Sequence, residues 1–323
     1  MGRLVGATVA LLLAVAATLA AASAQAPYPS RPIRIVVGFG PGGLADITMR
    51  LVGQKLSEIT GQQVVIENRP GAGGVVAASS VIQSAPDGYT LFVLSSGIAI
   101  SKTLIKTLPF DPVADFAPVS TVAYFDLLIL AKGDAPWRTV GDVLAAARAD
   151  PERFNVATIN PGSTQNLAAE LLKSTTGIAM TIVPHRSTGE VATALLRGDA
   201  AIAVESYAAL KGQIDDGKIR PIASTAAARS QVLPNVPTMR ESGVPYELTG
   251  WNALVAPVQT PAAVVETLNR HVRTIVAMPE IRQRLIELGT EPRASTPAEL
   301  GARLKADIVF WADVVKKAGL EPK

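Results

Sequence analysis

Past residue 27 the chain alternates between short apolar runs rich in β-branched residues and longer stretches with helical spacing. Ile33–Val37 reads as a buried strand, followed by a glycine-rich loop and a helix over about Ala45 to Ile59. Gln63–Glu67 is the next strand, then a glycine-rich turn, a helix over about Val75 to Gln83, and a strand at Tyr89–Leu94 that ends in Ser95-Ser96-Gly97. The pattern then restarts. Asp126–Leu130, Phe154–Ala157, Met180–Pro184, Ala201–Val204 and Ile219–Ser224 read as strands, with helices at about Val140–Arg148, Thr164–Ser174 and Gly189–Leu196 between them. Strands that alternate with helices predict βαβ units, so the fold class is α/β with mainly parallel sheets flanked by helices.

The remainder is mostly helical: about Pro261–Ala277, Pro279–Leu288 and Pro297–Lys317. The last helix opens on Thr296-Pro297-Ala298-Glu299, a capping sequence, and sets Leu300, Leu304, Ile308, Trp311 and Val315 on one face. With too few strands for a sheet of their own, these helices are predicted to return to the first lobe. The expected division is residues 27–125 and 228–323 for lobe 1, and 126–227 for lobe 2. A length of 323 residues, long for one core, agrees with two domains.

Composition changes the picture in three places. The net charge is only +3 and no Lys/Arg-rich block occurs, which argues against a nucleic-acid partner. Arg3, the apolar run Leu4–Ala22 and the small-residue exit Ala22-Ser23-Ala24 form the pattern of a secretory signal peptide, residues 1–24, cleaved near Ala24. The competing reading is an uncleaved anchor, because the run nearly suffices to span a bilayer; the break at Pro27-Tyr28-Pro29 favours cleavage. Cysteine is absent, which excludes disulfides, a lipidated N-terminal cysteine, thiol nucleophiles and thiolate metal sites.

Ligands of open α/β sheets bind where strand ends feed helix N-termini. Four such loops stand out: Gly40-Pro41-Gly42-Gly43, Ser95-Ser96-Gly97, Pro161-Gly162-Ser163-Thr164 and Arg186-Ser187-Thr188-Gly189. Two fall in each lobe, and unsatisfied N–H groups at helix starts suit an anion. Read singly, each loop is equally a turn with an N-cap. Gly38-Phe39-Gly40-Pro41-Gly42-Gly43 also matches G-x-G-x-x-G, with Glu67 where a ribose-binding acid would stand, so a dinucleotide-dependent enzyme is the rival reading. Pro41 within the loop and the exported destination oppose it. Other enzymatic signs are thin. His271 lies mid-helix beside arginines, His185 ends a strand at the cleft mouth, and neither G-x-S-x-G nor H-E-x-x-H occurs. Asp46 and Glu205 sit near loop ends without a paired carboxylate, and Asp46 equally caps its own helix. No catalytic residue, metal or cofactor is expected.

Tyr28-Pro29-Ser30-Arg31-Pro32-Ile33 and Val37-Gly38-Phe39-Gly40-Pro41-Gly42-Gly43 with Asp46 and Arg50 resemble the Bug-type periplasmic receptors, the substrate-binding components of tripartite tricarboxylate transporters. Glu67-Asn68-Arg69-Pro70-Gly71-Ala72-Gly73-Gly74, Pro86-Asp87-Gly88-Tyr89-Thr90, Pro237-Thr238-Met239-Arg240-Glu241-Ser242-Gly243, Gly250-Trp251-Asn252, Ala256-Pro257 and Thr260-Pro261 continue the resemblance along the chain. It implies a monomeric two-lobe Venus-flytrap protein of the periplasm, not an enzyme. Such a protein holds a small carboxylate between its lobes and delivers it to transporter membrane subunits. By the same resemblance Phe39 covers the ligand, and Gly42, Gly43, Leu44, Ala45 and Asp46 form the first-lobe pincer with Ser95 and Ser96. Gly162, Ser163, Thr164, His185, Arg186, Ser187 and Glu205 form the second-lobe side. The chain departs from the family pattern at Gly38 (usually proline), Ala45 (often threonine), His185-Arg186-Ser187 (usually tyrosine-lysine-glycine) and Glu205 (more often aspartate). A periplasmic sensor built on the same fold is the alternative to a transport receptor.

Overall fold

A computed structural model describes residues 28–317; the expected signal peptide lies outside them. The first half-lobe runs β1 (Ile33–Val37), α1 (Leu44–Thr60), β2 (Val64–Asn68), α2 (Val75–Ile82), β3 (Thr90–Ser95), α3 (Ser96–Leu104) and β4 (Phe116–Asp126). The second lobe holds β5 (Leu128–Lys132), α4 (Val140–Ala149), β6 (Asn155–Ile159), α5 (Thr164–Thr176), β7 (Thr181–His185), α6 (Thr188–Arg197), β8 (Ile202–Glu205), α7 (Tyr207–Asp215) and β9 (Ile219–Ser224). The chain returns through β10 (Thr249–Pro257), α8 (Ala262–Ala277), α9 (Pro279–Glu287), β11 (Thr290–Pro292) and α10 (Pro297–Lys317). One six-stranded sheet has the order β11-β4-β10-β3-β1-β2, and one five-stranded sheet the order β7-β6-β8-β5-β9.

The alternation of side chains along each strand explains why lobe 1 is covered on both faces. Ile33, Ile35 and Val37 of β1 and Leu91 and Val93 of β3 join Met49, Val52 and Leu56 of α1 and Leu268, Val272 and Ile275 of α8 in one core. The intervening Val36, Phe92 and Leu94 pack on the opposite face with Val81, Trp251, Leu300 and Leu304. The expected apolar face of the last helix is buried at Leu300, Leu304, Trp311 and Val315. Trp251 adds a hydrogen bond from Nε1 to the Asp307 carboxylate, 2.5 Å, which fastens α10 to β10.

The structure corrects the sequence reading in two respects. The sheets are mixed rather than mainly parallel. β1 pairs in parallel with β2 and β3, but β10 and β11 are antiparallel to β4, and β5 is antiparallel to β8 and β9. The second lobe also reaches past residue 227. Met239, Val244, Tyr246 and Leu248 sit in the core of the five-stranded sheet, and the Tyr246 hydroxyl donates to the Ala168 carbonyl at 2.9 Å.

Two strand crossings join the lobes, and Thr225 ties them together. Its N–H donates to the Leu127 carbonyl (2.8 Å), its hydroxyl to the Leu248 carbonyl (2.6 Å), and it accepts from the Leu127 and Leu248 sides through Oγ1 and O. Both connectors therefore bend about one buried point, the geometry of a hinge.

Candidate ligand site between the lobes

The loop after β1 is shaped by Asp46. This buried carboxylate accepts from the Gly42 N–H (3.0 Å), from Asn68 Nδ2 (2.9 Å) and from Arg50 (2.8 and 3.0 Å). Burial opposes its charge, but the Arg50, Gly42 and Asn68 donors outweigh that cost and hold its pKa below the usual value. Asp46 thus braces the Gly40–Gly43 loop against β2 and aims the start of α1; it is not among the residues that line the pocket.

That pocket lies between the lobes. It is narrow in this form, a cavity of about 20 Å³, and is walled by Phe39, Leu44, Ala45, Phe125 and Ile159, with Gly43, Ser95, Thr164, Gln165 and Asn252 completing it. Among the described residues no charged side chain lines it. Three helices begin at its edge: α1 behind Gly43, α3 behind Ser95, and α5 behind Ser163. Neither Gly43 nor Ser95 caps its helix through a side chain, so the first N–H groups of α1 and α3 are unsatisfied by capping and carry partial positive charge. The Ser95 hydroxyl is buried, lines the pocket and has no hydrogen-bond partner among the described residues.

The lobes touch around this pocket. The Ser96 and Thr164 hydroxyls share a hydrogen bond of 3.0 Å across the cleft. A methyl group added at Gly97 would stand 3.0 Å from the Gly162 carbonyl oxygen and 3.4 Å from the Thr164 nitrogen, and one at Gly73 only 2.9 Å from the Gly162 carbonyl carbon. Gly40 packs likewise on Arg186 and Ser187. Glycines therefore serve as the contact points of a closed form.

Of the expected contact residues, the structure sets Phe39, Gly43, Leu44, Ala45, Ser95 and Thr164 on the pocket wall. The Ser163 hydroxyl accepts from the Asn166 N–H (3.1 Å) and donates to the Ile159 carbonyl (3.1 Å), so in this structure it caps α5 and does not line the pocket. Ser187 caps α6 through the Glu190 N–H. Gly42, Ser96, Gly162 and Arg186 serve loop shape and lobe contact. His185 ends the edge strand β7 and, with Ser187, borders a separate outer concavity on lobe 2. Glu205 is fully buried behind the pocket and accepts from Gln165 (2.8 Å), Thr188 (2.8 Å), and the N–H and hydroxyl of Ser206 (2.7 and 3.2 Å). The sequence reading missed Phe125, Ile159, Gln165 and Asn252; the last stands in the quoted Gly250-Trp251-Asn252 motif, which could have flagged it. The dinucleotide reading loses its acid, because Glu67 is paired with Arg34 (3.1 Å) and Arg69.

The family model described as "Tripartite tricarboxylate transporter family receptor" matches residues 48–320. The chain belongs to that receptor family. Among family proteins it is similar to BugT of Bordetella pertussis, with 32% identity over 320 residues and 98% of each chain covered. Its fold resembles the solved structure of R. palustris Rpa4515 with adipate, with a TM-score of 0.88, 34% identity, and 92% of this chain and 100% of that chain covered. MatC (Rpa3494) from Rhodopseudomonas palustris with bound malate gives a TM-score of 0.85 and 31% identity, covering 89% of this receptor and 100% of that chain. No helix among the receptor's described residues is long and apolar enough to cross a membrane.

Proposed function

We propose that the protein is a periplasmic receptor that closes on a small carboxylate and presents it to the membrane subunits of a tripartite tricarboxylate transporter. It performs no catalysis in this reading. The observation that carries it is the buried, unpartnered Ser95 hydroxyl at the start of α3, in an interlobe pocket where uncapped helix N-termini supply positive potential without a cationic side chain. Backbone N–H groups fixed by a helix suit carboxylate oxygens and need no reorganisation when the anion arrives. The adipate- and malate-bound relatives support the same ligand class.

A panel of mono- and dicarboxylates screened against the melting temperature tests this. A ligand at about 100 times its Kd adds roughly 2.7 kcal/mol of stability, a visible rise. Calorimetry with the best ligand should then show Ser95→Ala binding about tenfold more weakly. The unliganded melting temperature should hardly move, since that hydroxyl has no hydrogen-bond partner among the described residues. A panel in which no carboxylate raises the melting temperature overturns the reading.

The N-terminal Arg3, apolar run and Ala22-Ser23-Ala24 support export with cleavage near Ala24. The intact mass of protein recovered from the periplasm should correspond to a chain beginning near Gln25; full-length protein retained in the membrane fraction would contradict it.

A further inference from the structure

Most polar groups around the pocket adapt to what they meet. Ser95 and Thr164 carry hydroxyls that rotate, and the Asn252 amide makes no side-chain hydrogen bond among the described residues, so either end can turn to the ligand. Gln165 differs. It opens α5, lines the pocket, is 8% exposed, and its Nε2 donates to Glu205 Oε1 at 2.8 Å.

That orientation is imposed. Glu205 Oε1 also accepts from the Ser206 backbone N–H at 2.7 Å, and a backbone N–H can only donate. Oε1 also receives the Ser206 hydroxyl at 3.2 Å, so three groups crowd it and an acid proton is better placed on Oε2, next to the Thr188 hydroxyl alone. Turning the Gln165 amide would set two acceptor oxygens against each other. The carbonyl oxygen of Gln165, bonded to no described residue, is thus left as an acceptor at the pocket, with one hydrogen of the same amide beside it. A carboxylate oxygen, which only accepts, meets that carbonyl unfavourably. A hydroxyl both donates and accepts, and satisfies the amide.

We propose that Gln165 is a specificity-determining residue, and that the protein selects carboxylates carrying a hydroxyl or similar donor on the lobe 2 side of the pocket. This rests on the carboxylate reading above. Leaving that acceptor without a partner once a ligand fills the pocket is the larger part of the discrimination, as in sites built to bind a hydroxyl.

The test uses pairs of acids that differ by one hydroxyl: succinate and malate, adipate and 2-hydroxyadipate, benzoate and 4-hydroxybenzoate. Affinities are measured by calorimetry on the mature wild type, on Gln165→Met, and on Gln165→Ala as a second variant that a helix accepts. In wild type the hydroxylated member of at least one pair should bind roughly tenfold or more tightly, a preference that falls to about threefold or less in either variant. If acids bind but no pair shows that preference, or if the preference survives both substitutions, the role of Gln165 is overturned and the carboxylate reading is left standing. If no acid of any pair binds, the carboxylate reading fails and this inference falls with it.

Discussion

Gly97→Ala is expected to weaken carboxylate binding about a hundredfold while leaving the unliganded protein as stable as before, or slightly more so. Gly97 lies in the first turn of α3, and the space beside it is filled from the other lobe. An added methyl meets the Gly162 carbonyl oxygen at 3.0 Å and the Thr164 nitrogen at 3.4 Å. Both are backbone atoms at the start of α5 and cannot swing aside as a side-chain tip would. Overpacking costs about 1–3 kcal/mol, and two rigid neighbours place this case near the upper end, about two decades in affinity. The whole penalty falls on the closed form. Of the three nearest atoms only the Ser95 hydroxyl, at 3.3 Å, belongs to lobe 1, and it rotates; alanine is also the better helix former by up to about 1 kcal/mol. Calorimetry with the best ligand and a melt of the unliganded variant read the two effects separately. Small-angle scattering should also show Gly97→Ala failing to contract at saturating ligand. Equal affinity for wild type and variant would mean that closure does not bring α3 onto the Gly162 turn, and the hinge account would fall.

The sequence revealed the strands and loops of the cleft because those loops are punctuated by glycine and hydroxyl residues after apolar runs. The Gly40–Gly43 and Ser95–Gly97 loops were legible as helix starts on that ground alone. β4 and β10 were not. Phe116–Asp126 and Thr249–Pro257 carry Pro118, Asp126, Asn252 and Pro257 among their apolar residues, and their pairing spans the whole second lobe in sequence. A local pattern cannot show an antiparallel pair so far apart, so the sheets read as parallel. The same two strands supply Phe125 and Asn252 to the pocket, so missing the strands meant missing those residues. Ser163 illustrates the converse. A serine before a helix is the same letter whether it caps the helix or meets a ligand, and only the Asn166 and Ile159 contacts decide. Glu205 stood among the candidate contacts as a carboxylate near a loop end, at a position where the family more often has aspartate; in the structure it is buried and holds Gln165, Thr188 and Ser206.

Replacing this support should cost more stability than any other single change considered for the second lobe. Glu205→Ala leaves Gln165, Thr188 and two Ser206 donors without their common acceptor, in a position with no solvent exposure. The expected loss is about 3–4 kcal/mol, or roughly 10 °C in melting temperature. Glu205→Gln should recover most of it. Its carbonyl oxygen can accept from Ser206 and Gln165, and its amide can donate to the Thr188 hydroxyl. The pair also separates charge from geometry. Burial raises the Glu205 pKa, and its hydrogen-bond donors only partly oppose that shift. The folded protein therefore holds this proton more tightly than the unfolded chain does. The contribution to stability is fully present below the unfolded carboxylate pKa, about 4.3, and is lost as pH rises through the folded value. Measured against Glu205→Gln, which does not titrate there, wild type should lose relative stability as pH rises above the ordinary carboxylate range, then level off. A relative stability that instead rises over that range would mean the four donors outweigh burial, and Glu205 would then stand as a stabilising buried anion at the root of three helices.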